Sequence, residues 1–245
     1  MTADLRVLPD GDALAAAVAA EVARRLGVAA GERGAATIAL GGGRTPRAFF
    51  RRLATTHHDD VPWERVHVFW GDERDVPLGD ERSNYRMARE TLLAAVPVPP
   101  AQVHPMPAGS DDPAAAAVAY EDTLRACFGA AAEWPAFDLV LLGLGEDGHT
   151  ASLFPGSPAL DERRRWVVPA TAPVEPRPRL TLTLPALTSA RALFVVVAGP
   201  EKAQPLYGVL ALPPDPARPA SLLRRGPAPV TWWADAAAAA LVAGR

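Results

Sequence analysis

The chain has 245 residues, 49% of them hydrophobic and 22% charged, with a formal net charge of −3. Those values suit a soluble α/β protein with a substantial core. They exclude a global positive field for nucleic acid or an anionic membrane, so an anionic ligand needs a local basic cluster. Cys127 is the sole cysteine, so no internal disulfide can form, and neither CxxC nor a Cys–His metal framework is present. No apolar run approaches the ~20 residues of a membrane span. The N-terminus lacks a basic-then-apolar leader, and a cytoplasmic location is expected.

In chain order, LRVL (5–8) reads as a strand, and DALAAAVAAEVARRL (12–26) as a helix stopped by Gly27. TIAL (37–40) is a buried strand running into GGGRTP, where Pro46 fits the first turn of the helix RAFFRRLA. VHVFW (66–70) is a strand ending in GDER. Ser83 can cap a helix over NYRMARETLLAAV, and Asp112-Pro113 opens another through Phe128. FDLVLL (137–142), WVVPA (166–170), LTLTL (180–184) and LFVVVAG (193–199) follow as strands. LPALTSA is a short helix, Pro200 starts a helix through Leu210, and VTWWAD (230–235) is a last strand before an Ala-rich helix. Alternation of helices with wholly apolar strands predicts a single α/β domain over 1–245, Rossmann-like, with a mostly parallel sheet covered by helices on both faces. The glycine-bearing loops after three strands fall at carboxyl ends, where open α/β sheets bind ligands.

The stretch GLGEDGHTASLFPG (143–156) contains G-x-G-x-x-G, a dinucleotide fingerprint. Its context contradicts that use. Pro155-Gly156 ends any helix within seven residues of Gly148, the residues near 163 are arginines, and Glu146 and Asp147 would repel a pyrophosphate. His149 sits among glycines at a strand end, with Asp147 two residues away to orient its ring or to cap the next turn. A neutral imidazole is suited to taking a proton from water. GGGRTP offers either a plain turn or an anion cradle built from Gly42, Gly43, Arg44 and Thr45 at a helix start; G-K-[ST] of a P-loop is missing. GDER places Asp72, Glu73 and Arg74 after an aromatic strand, for a site or for an internal salt bridge. Arg179 and Lys202, ordinary alone, can join Arg74 and the glycine loop as a local positive cluster. Ser152 is the nearest hydroxyl nucleophile, but it lacks the G-x-S-x-G setting.

Five segments in order, LGGGRTPRAFF, FWGDERDVPLGDERSNYRMARETLL, DLVLLGLGEDGHTASLFPGSPAL, PRLTLTLPAL and GPEK, make the chain similar to the 6-phosphogluconolactonase family. The resemblance implies the fold shared with glucosamine-6-phosphate deaminases and ribose-5-phosphate isomerases. It implies hydrolysis of 6-phospho-D-glucono-1,5-lactone in the oxidative pentose phosphate pathway, without cofactor or metal. His149 corresponds to the general base. Arg74, Arg179 and Lys202 match positions contacting the anionic substrate, Asp72 belongs to the same binding set, and residues 42–45 match the sugar-phosphate cradle. The expected partner is a small phosphosugar lactone, taken by a monomer or weak homo-oligomer. Gly41 and Arg44 stand where the family often has a hydroxyl and a small residue. The rival deaminase signature reads D-E-Y and G-H-I-A-F-N-E-P where this chain has Asp72-Glu73-Arg74 and GHTASLFP.

Overall fold

The computed structural model describes residues 4–242. Strands β1 (Asp4–Leu8), β2 (Ala36–Leu40), β3 (Val66–Trp70), β5 (Leu139–Leu142), β8 (Leu193–Val197) and β9 (Val230–Asp235) form a six-stranded sheet in the order β1-β9-β8-β5-β2-β3. Every pairing in it is parallel. β5 and β8 bury all of their residues, which is why their sequences are continuous apolar runs. Helices α1 (Gly11–Arg33) and α2 (Arg44–Thr55) pack against each other and against this sheet. No helix among the described residues is long and apolar enough to cross a membrane.

Asp10 caps α1 by accepting the Ala13 N–H at 2.8 Å. Gly27 does not stop it. A glycine costs a helix interior only about 1 kcal/mol, and buried Ala29 and Ala30 carry the packing face onward. The helix ends instead at Gly34, whose φ of 81° lies in the left-handed region that favours glycine.

A second, three-stranded antiparallel sheet was not expected from the sequence. Its order is β4 (Asp72–Arg74), β7 (Pro178–Leu182), β6 (Val167–Thr171). Gly71 joins the two sheets: its N–H donates to Leu40 O at 2.9 Å in the first, and its carbonyl accepts from Leu182 N at 2.8 Å in the second. GDER is therefore the start of a new sheet rather than a loop at the edge of the old one. Helix α4 (Pro113–Phe128) packs against β6 and β7. The LTLTL strand ends two residues early, because Thr183 already opens α5 (Leu184–Thr188).

Ser83 caps α3 (Asn84–Ala88), which widens into one π-type turn over 89–93. After β8, a short 3₁₀ turn at 200–202 leads into α6 (Ala203–Ala211). The Ala-rich segment after β9 winds through hydrogen-bonded turns instead of a helix. The Asp235 carboxylate takes the Ala238 N–H at 2.7 Å and its carbonyl takes the Ala239 N–H at 2.9 Å. So short a segment has little helix stability of its own, and local capping decides.

At the outer strand of the large sheet, the buried Tyr120 hydroxyl accepts from Trp70 N at 2.8 Å and donates to Trp70 O at 3.2 Å. Tyr120→Phe leaves both backbone groups unpaired, so urea unfolding should show a loss of about 1–3 kcal/mol; an unchanged midpoint would mean that another group replaces the hydroxyl.

Candidate active site

From β2 the chain continues to β3 on one side of the large sheet. From β5 it continues to β8 and β9 on the other. Connections that part in this way open a crevice at the carboxyl ends of the strands. A cleft of 710 Å³ lies there. Its walls come from the β2 loop (Gly41–Thr45), from Asp72 and Arg74 of β4, from Asn84, from the β5 loop with His149, and from Gly199 and Lys202 after β8.

His149 is placed by its own loop. Its ring Nδ1 lies 2.5 Å from Asp147 Oδ1, and its backbone N–H reaches the same oxygen at 3.0 Å. Asp147 thus both orients the ring and caps the turn. With Nδ1 bonded to a carboxylate, the proton belongs on Nδ1, and Nε2 is the nitrogen left for chemistry. Burial works to raise the Asp147 carboxyl. The hydrogen bonds from the His149 ring and amide outweigh it and hold the group below its ordinary value. A Cβ on Gly145 would overlap the His149 ring and crowd the Asp147 carboxylate, so this glycine makes the room for the pair. Gly148, at φ 84°, turns the loop against Arg218. Gly145 N donates to His149 O at 2.8 Å, closing the stretch into tight turns that leave no helix for a dinucleotide.

The GDER residues divide their duties. Glu73 is buried and accepts from Arg74 N (2.8 Å), Ser83 Oγ (3.1 Å), Asn84 N (2.7 Å) and Tyr85 N (2.7 Å). It fastens β4 to the start of α3. Burial pushes its carboxyl up, and the backbone donors partly offset that. Asp72 accepts the Ser152 hydroxyl at 2.7 Å. Ser152 is itself buried, and its proton is committed to that carboxylate. Arg74 Nη1 donates to Arg82 O at 2.7 Å and to Asn84 Oδ1 at 2.6 Å. Among the described residues, Asp72, Glu73 and Arg74 form no ion pair, so the internal salt bridge open to the sequence is not built.

Arg179 stands apart from the cleft wall. It faces Arg74 in the β4–β7 register, is 7% exposed, and its Nε and Nη1 find no hydrogen-bond partner among the described residues. Burial, then the neighbouring Arg74 charge, lowers its affinity for a proton. It adds positive charge from behind Arg74.

The other end of the cleft is an uncapped helix start. Gly43, at φ 100°, precedes α2 without a side-chain cap, so the N–H groups of Arg44 and Thr45 are left open at a positive helix end. Lys202 lines the cleft with no ion-pair partner among the described residues. Arg44 is mostly solvated, its side chain 88% exposed and 3.5 Å from Glu201 Oε1.

Among the other lining residues, Asn84 and Asp235 have roles that the sequence does not display. Asn84 seemed only a helix-start residue. Asp235 seemed only a strand end, yet its carboxylate receives Gly199 N at 3.0 Å and so fixes the turn carrying Lys202. An acidic residue closing the apolar strand VTWWAD is the one sequence signal for Asp235.

Comparison with known proteins agrees with this architecture. Residues 9–232 match the family model described as glucosamine-6-phosphate isomerases/6-phosphogluconolactonase. A 6-phosphogluconolactonase of Synechocystis sp. is 45% identical over 196 residues, 80% of each chain. One of Nostoc sp. is 38% identical over 241 residues, 98% of each. The solved 6-phosphogluconolactonase of Trypanosoma cruzi superimposes with a TM-score of 0.88 at 30% identity, covering 99% of this chain and 98% of the other. The chain belongs to the glucosamine-6-phosphate isomerase/6-phosphogluconolactonase family.

Proposed function

We propose that this protein hydrolyses 6-phospho-D-glucono-1,5-lactone to 6-phospho-D-gluconate in the oxidative pentose phosphate pathway, with His149 as the base. The observation that carries the reading is the pairing, in one cleft, of a carboxylate-oriented imidazole with an uncapped helix start. The relatives' activity and the shared fold support it. One buried cluster draws on residues of both sheets, which supports a single domain over 1–245.

The phosphate sits at Gly42, Gly43, Arg44 and Thr45, with Lys202 opposite. Binding energy there holds the sugar in register, far from the reacting carbon. His149 Nε2 takes a proton from water, and the hydroxide adds to the lactone carbonyl. Arg74, its charge reinforced by Arg179, stabilises the oxyanion. Collapse of the tetrahedral intermediate breaks the bond to the ring oxygen, which takes the proton back from His149. Asp147 keeps the ring in the required tautomer and supports its transient charge, while Asp72 meets a sugar hydroxyl. No covalent intermediate is needed.

His149→Ala should lower kcat by about 10²–10⁴-fold, the usual worth of acid–base help, with KM little moved; near-normal turnover in steady-state assays removes it as the base. Lys202→Ala should instead raise KM by roughly 10–100-fold, the loss of one charged hydrogen bond, at nearly constant kcat; an unchanged KM removes it from the phosphate. Asp147 carries a pH signature. Its folded-state pKa lies below the ordinary 3.8, so its stabilising contribution is present above 3.8 and is lost as pH falls through the folded value. The stability advantage of wild type over Asp147→Asn, followed by denaturant unfolding, should be present at pH 6 and close as pH falls below 3.8 through the folded-state value; a gap that stays open at the acid end contradicts the pairing.

A further inference from the structure

We propose that Asn84 is a positioning residue that keeps Arg74 and Asp72 from neutralising each other, leaving the guanidinium free for substrate. The proposal rests on the assignment of Arg74 to the reacting carbonyl.

Asn84 is 1% exposed and lines the cleft between these two opposite charges. Its Oδ1 receives Arg74 Nη1 at 2.6 Å. Its Nδ2 donates to Asp72 O at 2.9 Å and reaches Asp72 Oδ1 at 3.4 Å. Only one orientation of the amide satisfies both sides, because a flipped group would set NH₂ against a guanidinium and oxygen against oxygen. Both donor hydrogens are engaged with Asp72, so the side chain's business is with the protein. Ser152 occupies the other Asp72 oxygen at 2.7 Å, and the carboxylate is satisfied by neutral donors. Arg74 Nη1 spends its two hydrogens on Asn84 and on Arg82 O. One edge of the guanidinium is anchored, and Nε and Nη2 keep their donors.

The backbone is arranged for this task independently of the amide. Glu73 fixes the N–H groups of Asn84 and Tyr85, and Ser83 caps the helix start. Gly42 approaches so closely that a Cβ there would overlap the Asn84 amide. The amide is thereby held from both sides. Shortening Asn84 opens a path for Arg74 to swing onto Asp72, an internal ion pair that competes with an anionic transition state.

The test is a double-mutant cycle on the full-length enzyme with Asn84→Ala, Arg74→Ala and the double variant. Lactone turnover gives kcat, and calorimetric titration with 6-phospho-D-gluconate reads binding. Asn84→Ala should lower kcat by about tenfold or more, while adding it to Arg74→Ala should cost less than about twofold, since its effect passes through the guanidinium. Losses that multiply in the double variant overturn the proposal. So does an unchanged Asn84→Ala enzyme beside an impaired Arg74→Ala one, which leaves the role of Arg74 standing. A fully active Arg74→Ala enzyme overturns both. If Asn84→Ala does not fold, Asn84→Ser, which is polar but too short to hold both Arg74 and Asp72, goes through the same cycle; the same non-additive loss is expected and additive loss is again contrary.

Discussion

The cleft exists because the chain leaves β2 and β5, which are neighbours in one parallel sheet, in opposite directions. All six strands run the same way, so all of their exits fall on one edge. At the β2–β5 pair the exits part, β2 leading on to β3 at one edge and β5 leading back toward β8 and β9 on the other side. The candidate site residues are arranged around that gap. The β2 exit provides an uncapped helix end, the β5 exit a histidine on a tight turn, and the β8 exit a lysine on a short 3₁₀ turn.

The fourth wall has a different origin. At Gly71 the chain passes from one sheet to another, and β4 brings Asp72 and Arg74 to the cleft from outside the parallel layer. Two opposite charges one residue apart would ordinarily satisfy each other. Here neutral groups intervene: Ser152 and Asn84 serve the carboxylate, and the Asn84 and Arg82 oxygens serve one edge of the guanidinium. Glu73, between them in sequence, is turned away to hold the backbone of α3. The site keeps its charges available because surrounding hydrogen bonds hold them apart. That is the electrostatic preorganisation a developing oxyanion needs.

Features built from neighbouring residues were legible in the sequence. The glycine loops after β2 and β5, the Asp147–His149 spacing and the Ser83 cap depend on contacts within a few positions, and each stands where the sequence puts it, whereas GDER opens a second sheet. Features built by distant partners were not. Glu73 carries the same charge as Asp72 and differs only in where the fold points it. Arg179 resembles any basic residue before a strand until the β4–β7 pairing sets it behind Arg74. Asn84 and Asp235 acquire their roles through contacts 12 and 36 residues away. Helix α1 runs through Gly27 because the burial of Ala29 and Ala30 outweighs local propensity, and the Ala-rich end is turned by the Asp235 carboxylate, a partner that alanine content does not reveal.

If this cleft opens a phosphorylated sugar lactone with water, the protein must speed the loss of that lactone. The direct measurement is the disappearance of freshly generated 6-phospho-D-glucono-1,5-lactone, followed by ³¹P NMR with and without the protein, since such lactones also open unaided. Loss of lactone far faster than in buffer, with matching appearance of 6-phospho-D-gluconate, is the result expected. A rate equal to that in buffer, accompanied by release of ammonia from glucosamine 6-phosphate, would make the protein a deaminase and not a lactonase.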